Sequence, residues 1–222
     1  MSSDLNVETT GSGPNVLFVH GLDSDAAVWA PVIDLLPDHS CIAVDLPGHG
    51  KSPASDDPSA YERETLLQEI ATIIETLDGP TVFVGHSLGG YLGMAFALTH
   101  PETLAGLVLV ATGPGFRDPD AREKWNATVR ENAPGYGIPD IAAAVAFHVD
   151  SMVIDRVTEL QLPVALVIGD GDRTYLGAND YLEKKLPHAT RTTVPGARHY
   201  VMRSHPESVA DAVRTMTSTP RI

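Results

Sequence analysis

Five short apolar runs rich in β-branched residues recur along the chain, at Val16–His20, Cys41–Asp45, Thr81–Gly85, Gly106–Ala111 and Pro163–Gly169. Runs without polar alternation read as strands buried on both faces, which is the situation of central strands in a parallel sheet. Helix-period patterns lie between and after them, at Ala26–Leu36, Tyr61–Leu77, Leu88–His100, Leu176–Leu186 and Pro206–Thr217. Weaker strand patterns at Leu5–Thr10, before the turn Gly11-Ser12-Gly13-Pro14, and at Thr190–Val194 bring the expected total to about seven. Parallel strands need crossover helices, so the alternation predicts an α/β class with a mostly parallel sheet of about seven strands. The 222 residues fit one domain, 1–222. Only the interval 113–162 breaks the alternation, with helical patterns at Asp120–Asn132 and Pro139–Ile154 around a Pro134-Gly135-Tyr136-Gly137 break. A connection of that length is expected to serve the function, as a lid.

Charge and composition exclude several classes. Asp and Glu total 29 against 15 Lys and Arg, a net charge of −14 that opposes the phosphate attraction behind nucleic-acid binding. Acid dominance also disfavours anionic membrane surfaces, and no apolar run approaches the ~20 residues that span a bilayer. The polar segment Met1–Asn15 carries Asp4 and Glu8 and lacks the basic and apolar blocks of a secretory signal, so the expected location is cytoplasmic. Cys41 is the only cysteine, which removes an intramolecular disulfide and a thiolate metal cluster; it reads as a small buried strand residue. No His-Glu-x-x-His spacing is present, and the glycines of 85–90 surround Ser87 without an acidic partner at the end of the next strand. Neither a metal nor an organic cofactor is expected. No feature of the sequence speaks to oligomeric state.

The most informative residues are Gly85-His86-Ser87-Leu88-Gly89, directly after the strand Thr81–Val84 and directly before the helix that runs to His100. A serine on such a sharp strand-to-helix turn is pushed out at the top of the sheet, and glycines on either side let the backbone fold tightly. The helix N-terminus beside it favours developing negative charge. A hydroxyl becomes an effective nucleophile only when a base takes its proton and a third group holds that base.

With this elbow, with His20-Gly21 after Val16–Val19, and with Asp45-Leu46-Pro47-Gly48-His49-Gly50-Lys51-Ser52 after the next strand, the chain resembles the α/β-hydrolase family over almost its whole length. The resemblance implies an eight-stranded, mostly parallel sheet, of which this chain lacks one N-terminal strand. It also implies a catalytic order of Ser, then Asp or Glu, then His. Ser87 is then the nucleophile. The acid falls in Gly169-Asp170-Gly171-Asp172-Arg173, where the family pattern selects Asp172, with Asp170 as the alternative and otherwise a turn-forming carboxylate. The base falls in Val194-Pro195-Gly196-Ala197-Arg198-His199, at His199. Backbone N–H groups of Leu22 and Leu88 form the implied oxyanion hole, and His20 braces the loop that carries the first of them.

Trp29, Phe116, Trp125, Phe147 and the lid residue His148 are candidates for contact with substrate, beside Leu22, Tyr136 and Met152, since small-ligand sites are mostly apolar with few polar anchors. Asp23 and Asp25 disfavour an anionic substrate, whereas Arg117, Arg173 and Arg198 pull the other way. The resemblance implies a serine hydrolase of an ester, lactone or similar acyl bond in a small molecule. Carbon–carbon bond and enol-lactone hydrolases share the same three residues. A non-catalytic binding protein or receptor on the same fold is the reading from another class.

Overall fold

The computed structural model describes residues 5–218, so the first four residues of the polar Met1–Asn15 segment lie outside the described part. Seven strands form one sheet: β1 (Val7–Thr10), β2 (Asn15–Val19), β3 (Ser40–Val44), β4 (Thr81–His86), β5 (Leu104–Val110), β6 (Val164–Gly169) and β7 (Thr190–Val194). Their order is β1-β3-β2-β4-β5-β6-β7, with β1 antiparallel to β3 and every other pair parallel.

Residues of β2 to β6 are almost all buried, and alternation divides them between two cores. Leu17, Val19, Ile42, Val44, Phe83, Leu107, Leu109 and Leu166 face α2 (Arg63–Glu75) and α3 (Leu88–Thr99). Val16, Phe18, Ala43, Val82, Val84, Val108 and Val167 face α1 (Ala30–Ile33) and the last helix, whose buried stripe is Val209, Ala210, Val213 and Met216. A parallel sheet covered on both sides explains the continuous apolar runs. Cys41 is buried in the second core.

The expected helix Ala26–Leu36 is instead a 3₁₀ turn at Ala26–Trp29 followed by the short α1. Pro31 lacks the N–H that would reach back to Ala27, so a continuous α-helical ladder cannot form there. The interval between β5 and β6 holds α4 (Pro119–Asn132), a 3₁₀ turn at Asp140–Ala146 and α5 (Met152–Arg156). The pattern over Pro139–Ile154 is therefore broken rather than one helix. The Asn126 side chain takes both backbone groups of His148, accepting from its N–H at 2.9 Å and donating to its carbonyl at 3.0 Å, and so stands in for a helical ladder. The remaining helices are α6 (Leu176–Lys185), α7 (Val201–Ser204) and α8 (Pro206–Ser218).

Strand order reverses direction at β2, with β3 on one side and β4 on the other. In open parallel sheets the crevice beyond the carboxyl ends of strands at such a switch point is where ligands bind. The loops leaving β2, β4, β6 and β7 at that edge begin at His20, Ser87, Asp170 and Pro195.

Candidate active site

Ser87 follows β4 and precedes α3 with φ 51° and ψ −113°, a positive φ that only Ala111 shares among described non-glycine residues. Conformations of this kind cost about 1–3 kcal/mol and persist where the surroundings impose them. Here the Ser87 N–H donates to Val110 O at 2.9 Å, its carbonyl accepts from Thr112 Oγ1 at 2.6 Å, and the turns behind it leave no space. A Cβ on Gly89 would sit 2.2 Å from the Val19 carbonyl oxygen, and one on Gly85 would sit 2.4 Å from the Gly89 carbonyl. Gly89→Ala is thus expected to destabilise the fold by about 3 kcal/mol or more, because backbone rather than a flexible side chain must move. A urea midpoint equal to wild type would show that the elbow is looser than this packing implies.

His199 sits past β7, and its Nδ1 is 2.8 Å from Asp172 Oδ2. An ionised carboxylate only accepts, so Nδ1 carries the proton and Nε2 keeps the lone pair that a general base needs. The Asp172 side chain is 3% exposed and that of His199 is 31% exposed, which places a sealed acid behind an accessible imidazole. Asp170 lies on the surface, where its Oδ1 accepts from the Gly196 N–H at 2.9 Å and ties β6 to the turn after β7. It does not reach His199 by any hydrogen bond.

Leu22 and Leu88 flank Ser87, and among the described residues neither backbone N–H has a hydrogen-bond partner. Two buried histidines hold the first loop. His20 Nε2 accepts from the Leu46 N–H at 3.0 Å, so its Nδ1–H donates to Gly21 O at 2.7 Å. The His49 Nε2 lies 2.7 Å from Leu22 O. Successive carbonyls of the loop are thereby pulled toward the protein and away from the cavity. Asp45, also buried, accepts from Ala26 and Lys51 N–H groups and fixes the other end of the same segment.

Ser87, Asp172, His199, Leu22 and Leu88 border one cavity of about 560 Å³. Phe116, Trp125 and His148, together with Tyr136, line it from the segment between β5 and β6. Trp29 and Phe147 do not. Trp29 is fully buried on the opposite side of the sheet, its ring 5.3 Å from that of Phe18, because the turn after Asp25 directs it into the α1 and α8 core. Phe147 is half-buried against the first core, with the Arg130 guanidinium 4.8 Å from its ring. Met152 is likewise absent from the walls. Arg117 is paired with Asp155, and Arg173 and Arg198 lie on the surface; none of the three borders the cavity, whose charged residues are Asp23 and Asp172.

Tyr175 and Thr112 carried no sequence signal that pointed to them, and His86 was marked only as part of the elbow, where it reads as bonding local backbone. The Tyr175 hydroxyl lies 3.5 Å from Ser87 Oγ while its ring stacks on His199, with centroids 5.0 Å apart and planes 15° apart. Burial raises its phenol above the ordinary range, so the hydroxyl stays protonated. Thr112 anchors the elbow as described. His86, fully buried beneath His199, has its Nε2 3.1 Å from the His199 carbonyl, and burial followed by the neighbouring His199 keeps its ring well below the usual histidine pKa.

Burial also lowers His20 and His148 to about 4. The unfolded chain takes up protons at these positions near the ordinary value of about 6.5, and the folded chain only near 4. Stability from these groups is complete above that ordinary value and is lost as pH falls from there toward 4, by up to ~1.4 kcal/mol per pH unit per group. The urea midpoint is expected to drop between about pH 7 and pH 5, and His148→Leu should flatten that slope. A midpoint independent of pH over this range would mean that these imidazoles are not buried in neutral form.

A family model described as the alpha/beta hydrolase fold matches residues 14–153. The 2-(acetamidomethylene)succinate hydrolase of Mesorhizobium japonicum is 30% identical over 94% of this chain and 90% of its own. The pimeloyl-[acyl-carrier protein] methyl ester esterase of Chromobacterium violaceum is 29% identical over 95% of this chain and 96% of its own. A thermophilic esterase from Thermogutta terrifontis, solved with malate bound, superposes with a TM-score of 0.82 at 25% identity, over 95% of this chain and 92% of that one. Matched along most of its length in sequence and along nearly all of it in structure, the chain belongs to the α/β-hydrolase fold family.

Proposed function

We propose that the protein is a serine hydrolase that cleaves an ester, lactone or similar acyl bond of a small uncharged molecule through an acyl-enzyme on Ser87. The observation that carries this reading is the convergence, in one cavity, of a strained serine, a histidine held by a sealed carboxylate, and two unpartnered backbone N–H groups. Ser87 Oγ attacks the carbonyl carbon as His199 Nε2 takes its proton. Negative charge gathers on the carbonyl oxygen, where the Leu22 and Leu88 N–H groups donate to it. The protonated His199 then gives its proton to the leaving group, and the C–O bond breaks. Water, deprotonated by His199, attacks the acyl carbon and releases the acid and free Ser87.

The relatives' names give ester cleavage for one and a succinate-derived substrate for the other. The ester reading suits this cavity better. Its only charged walls are the carboxylates of Asp23 and Asp172, and Lys and Arg are absent from it among the described residues. A carboxylate on the substrate would meet repulsion there without a paired cation. A short neutral ester is expected to exceed its carboxylate-bearing analogue in kcat/KM by about tenfold or more, a difference of ~1.4 kcal/mol. Equal values, or a preference for the anion, would reject the neutral assignment.

The segment 113–162 serves in this proposal as a lid that supplies one wall of the site. No helix among the described residues is long and apolar enough to cross a membrane. The net charge of −14 supports a small-molecule partner rather than a nucleic acid, and a cytoplasmic setting belongs to the same proposal.

A further inference from the structure

We propose that His148 selects the substrate, its Nε2–H donating to an acceptor oxygen carried within an uncharged ester or lactone at a distance from the scissile bond. This rests on the reading of the cavity as a serine hydrolase site and deepens it. His148 is held more firmly than a loop residue needs to be. Asn126 clamps its backbone N–H and carbonyl together, at 2.9 and 3.0 Å. Its ring is set edge-on or tilted among three aromatic rings: Tyr91 at 4.5 Å and 84°, Phe116 at 5.3 Å and 90°, and Trp125 at 6.0 Å and 61°. Trp125 is in turn fixed by its indole N–H, which donates to Ala146 O at 2.9 Å.

The two ring nitrogens differ. Nδ1 is sealed without a hydrogen-bond partner, against Gly115, where even a Cβ would come within 3.0 Å of it. Nε2 is not sealed, and the residue lines the cavity that contains Ser87 and His199. A sealed N–H without a partner is rarer and costlier than an unused acceptor lone pair. The proton therefore sits on Nε2, and the imidazole presents a donor to the cavity. Burial, with Arg63 and Arg122 nearby, keeps the ring neutral, so it offers a hydrogen-bond donor without a counter-charge for a carboxylate. Of the other large side chains on the lid side, Phe116 has no donor, and the Trp125 indole N–H is already used by Ala146 O.

The test uses the intact protein and p-nitrophenyl esters of six-atom acyl chains, in which each methylene beyond the one next to the carbonyl is replaced in turn by an ether oxygen, together with acetates of ether alcohols of the same lengths. At least one ether member is expected to exceed its all-methylene parent by about tenfold in kcat/KM, the scale of one neutral hydrogen bond. His148→Leu should bring the ether-to-parent ratio of kcat/KM, measured within that variant, to about one, and His148→Gln should keep part of the preference. Two-bond ¹H–¹⁵N spectra should show His148 as the Nε2–H tautomer. The proposal is overturned if no ether member is preferred, if the preference survives in His148→Leu, or if the spectra place the proton on Nδ1. Labelling of Ser87 by a fluorophosphonate, run on wild type and both variants, separates the two levels. Labelled protein without an ether preference removes only the role of His148, whereas unlabelled folded wild type removes the hydrolase reading beneath it.

Discussion

Replacing Ser87 by alanine is expected to lower turnover by about 10⁶-fold while leaving the unfolding midpoint near that of wild type. Alanine keeps the Cβ and the strained φ of 51°, and the bonds that hold the elbow use only backbone atoms of Ser87. The hydroxyl itself has one long contact, 3.5 Å to Tyr175, so its removal costs the fold little. Ser87→Gly separates function from strain. It also removes the nucleophile, but glycine tolerates positive φ, and a gain of about 1 kcal/mol in stability is expected. An alanine variant that still turned over ester at more than a few per cent of wild type would remove the covalent mechanism.

Asp172→Asn is expected to lower kcat by about 10⁴-fold, and Asp170→Asn by less than about tenfold. The structural basis is the 2.8 Å contact between Asp172 Oδ2 and His199 Nδ1. An asparagine amide there can donate to Nδ1, which moves the ring proton to Nε2 and leaves His199 unable to accept from Ser87. Asp170 makes its bond to the Gly196 N–H instead, so its replacement loosens a surface turn and costs stability of about 1 kcal/mol without touching the imidazole. Steady-state kinetics of the two variants against one activated ester decides between them; equal losses would leave neither carboxylate identified as the partner of His199.

The central architecture was legible because its physics is local or periodic. Strands buried on both faces must be apolar throughout, so β2 to β6 stand out as runs, each within two residues of its observed limits. The elbow was legible because its glycines answer a steric demand that the structure makes explicit at Gly85 and Gly89. Choosing between Asp170 and Asp172 relied on a family pattern, since two carboxylates two residues apart look alike until β6 and the turn after β7 are placed. The aromatic residues were legible only as apolar. Trp29 and Phe116 both follow strand ends, yet one turns under the sheet beside Phe18 and the other faces the cavity, and that direction depends on how each loop leaves its strand. Tyr175 was invisible for the same reason: its stack on His199 joins the loops after β6 and β7, and no spacing within one segment encodes it. The break in Pro139–Ile154 likewise comes from Asn126, more than twenty residues upstream of His148.

Every step of this mechanism starts from an activated Ser87, and the most direct measurement of that activation is intact mass followed by peptide mapping after incubation with a fluorophosphonate probe. A single adduct, located on Ser87 and abolished by Ser87→Ala, is the predicted result. No adduct on folded protein, or an adduct on any other residue, would contradict it.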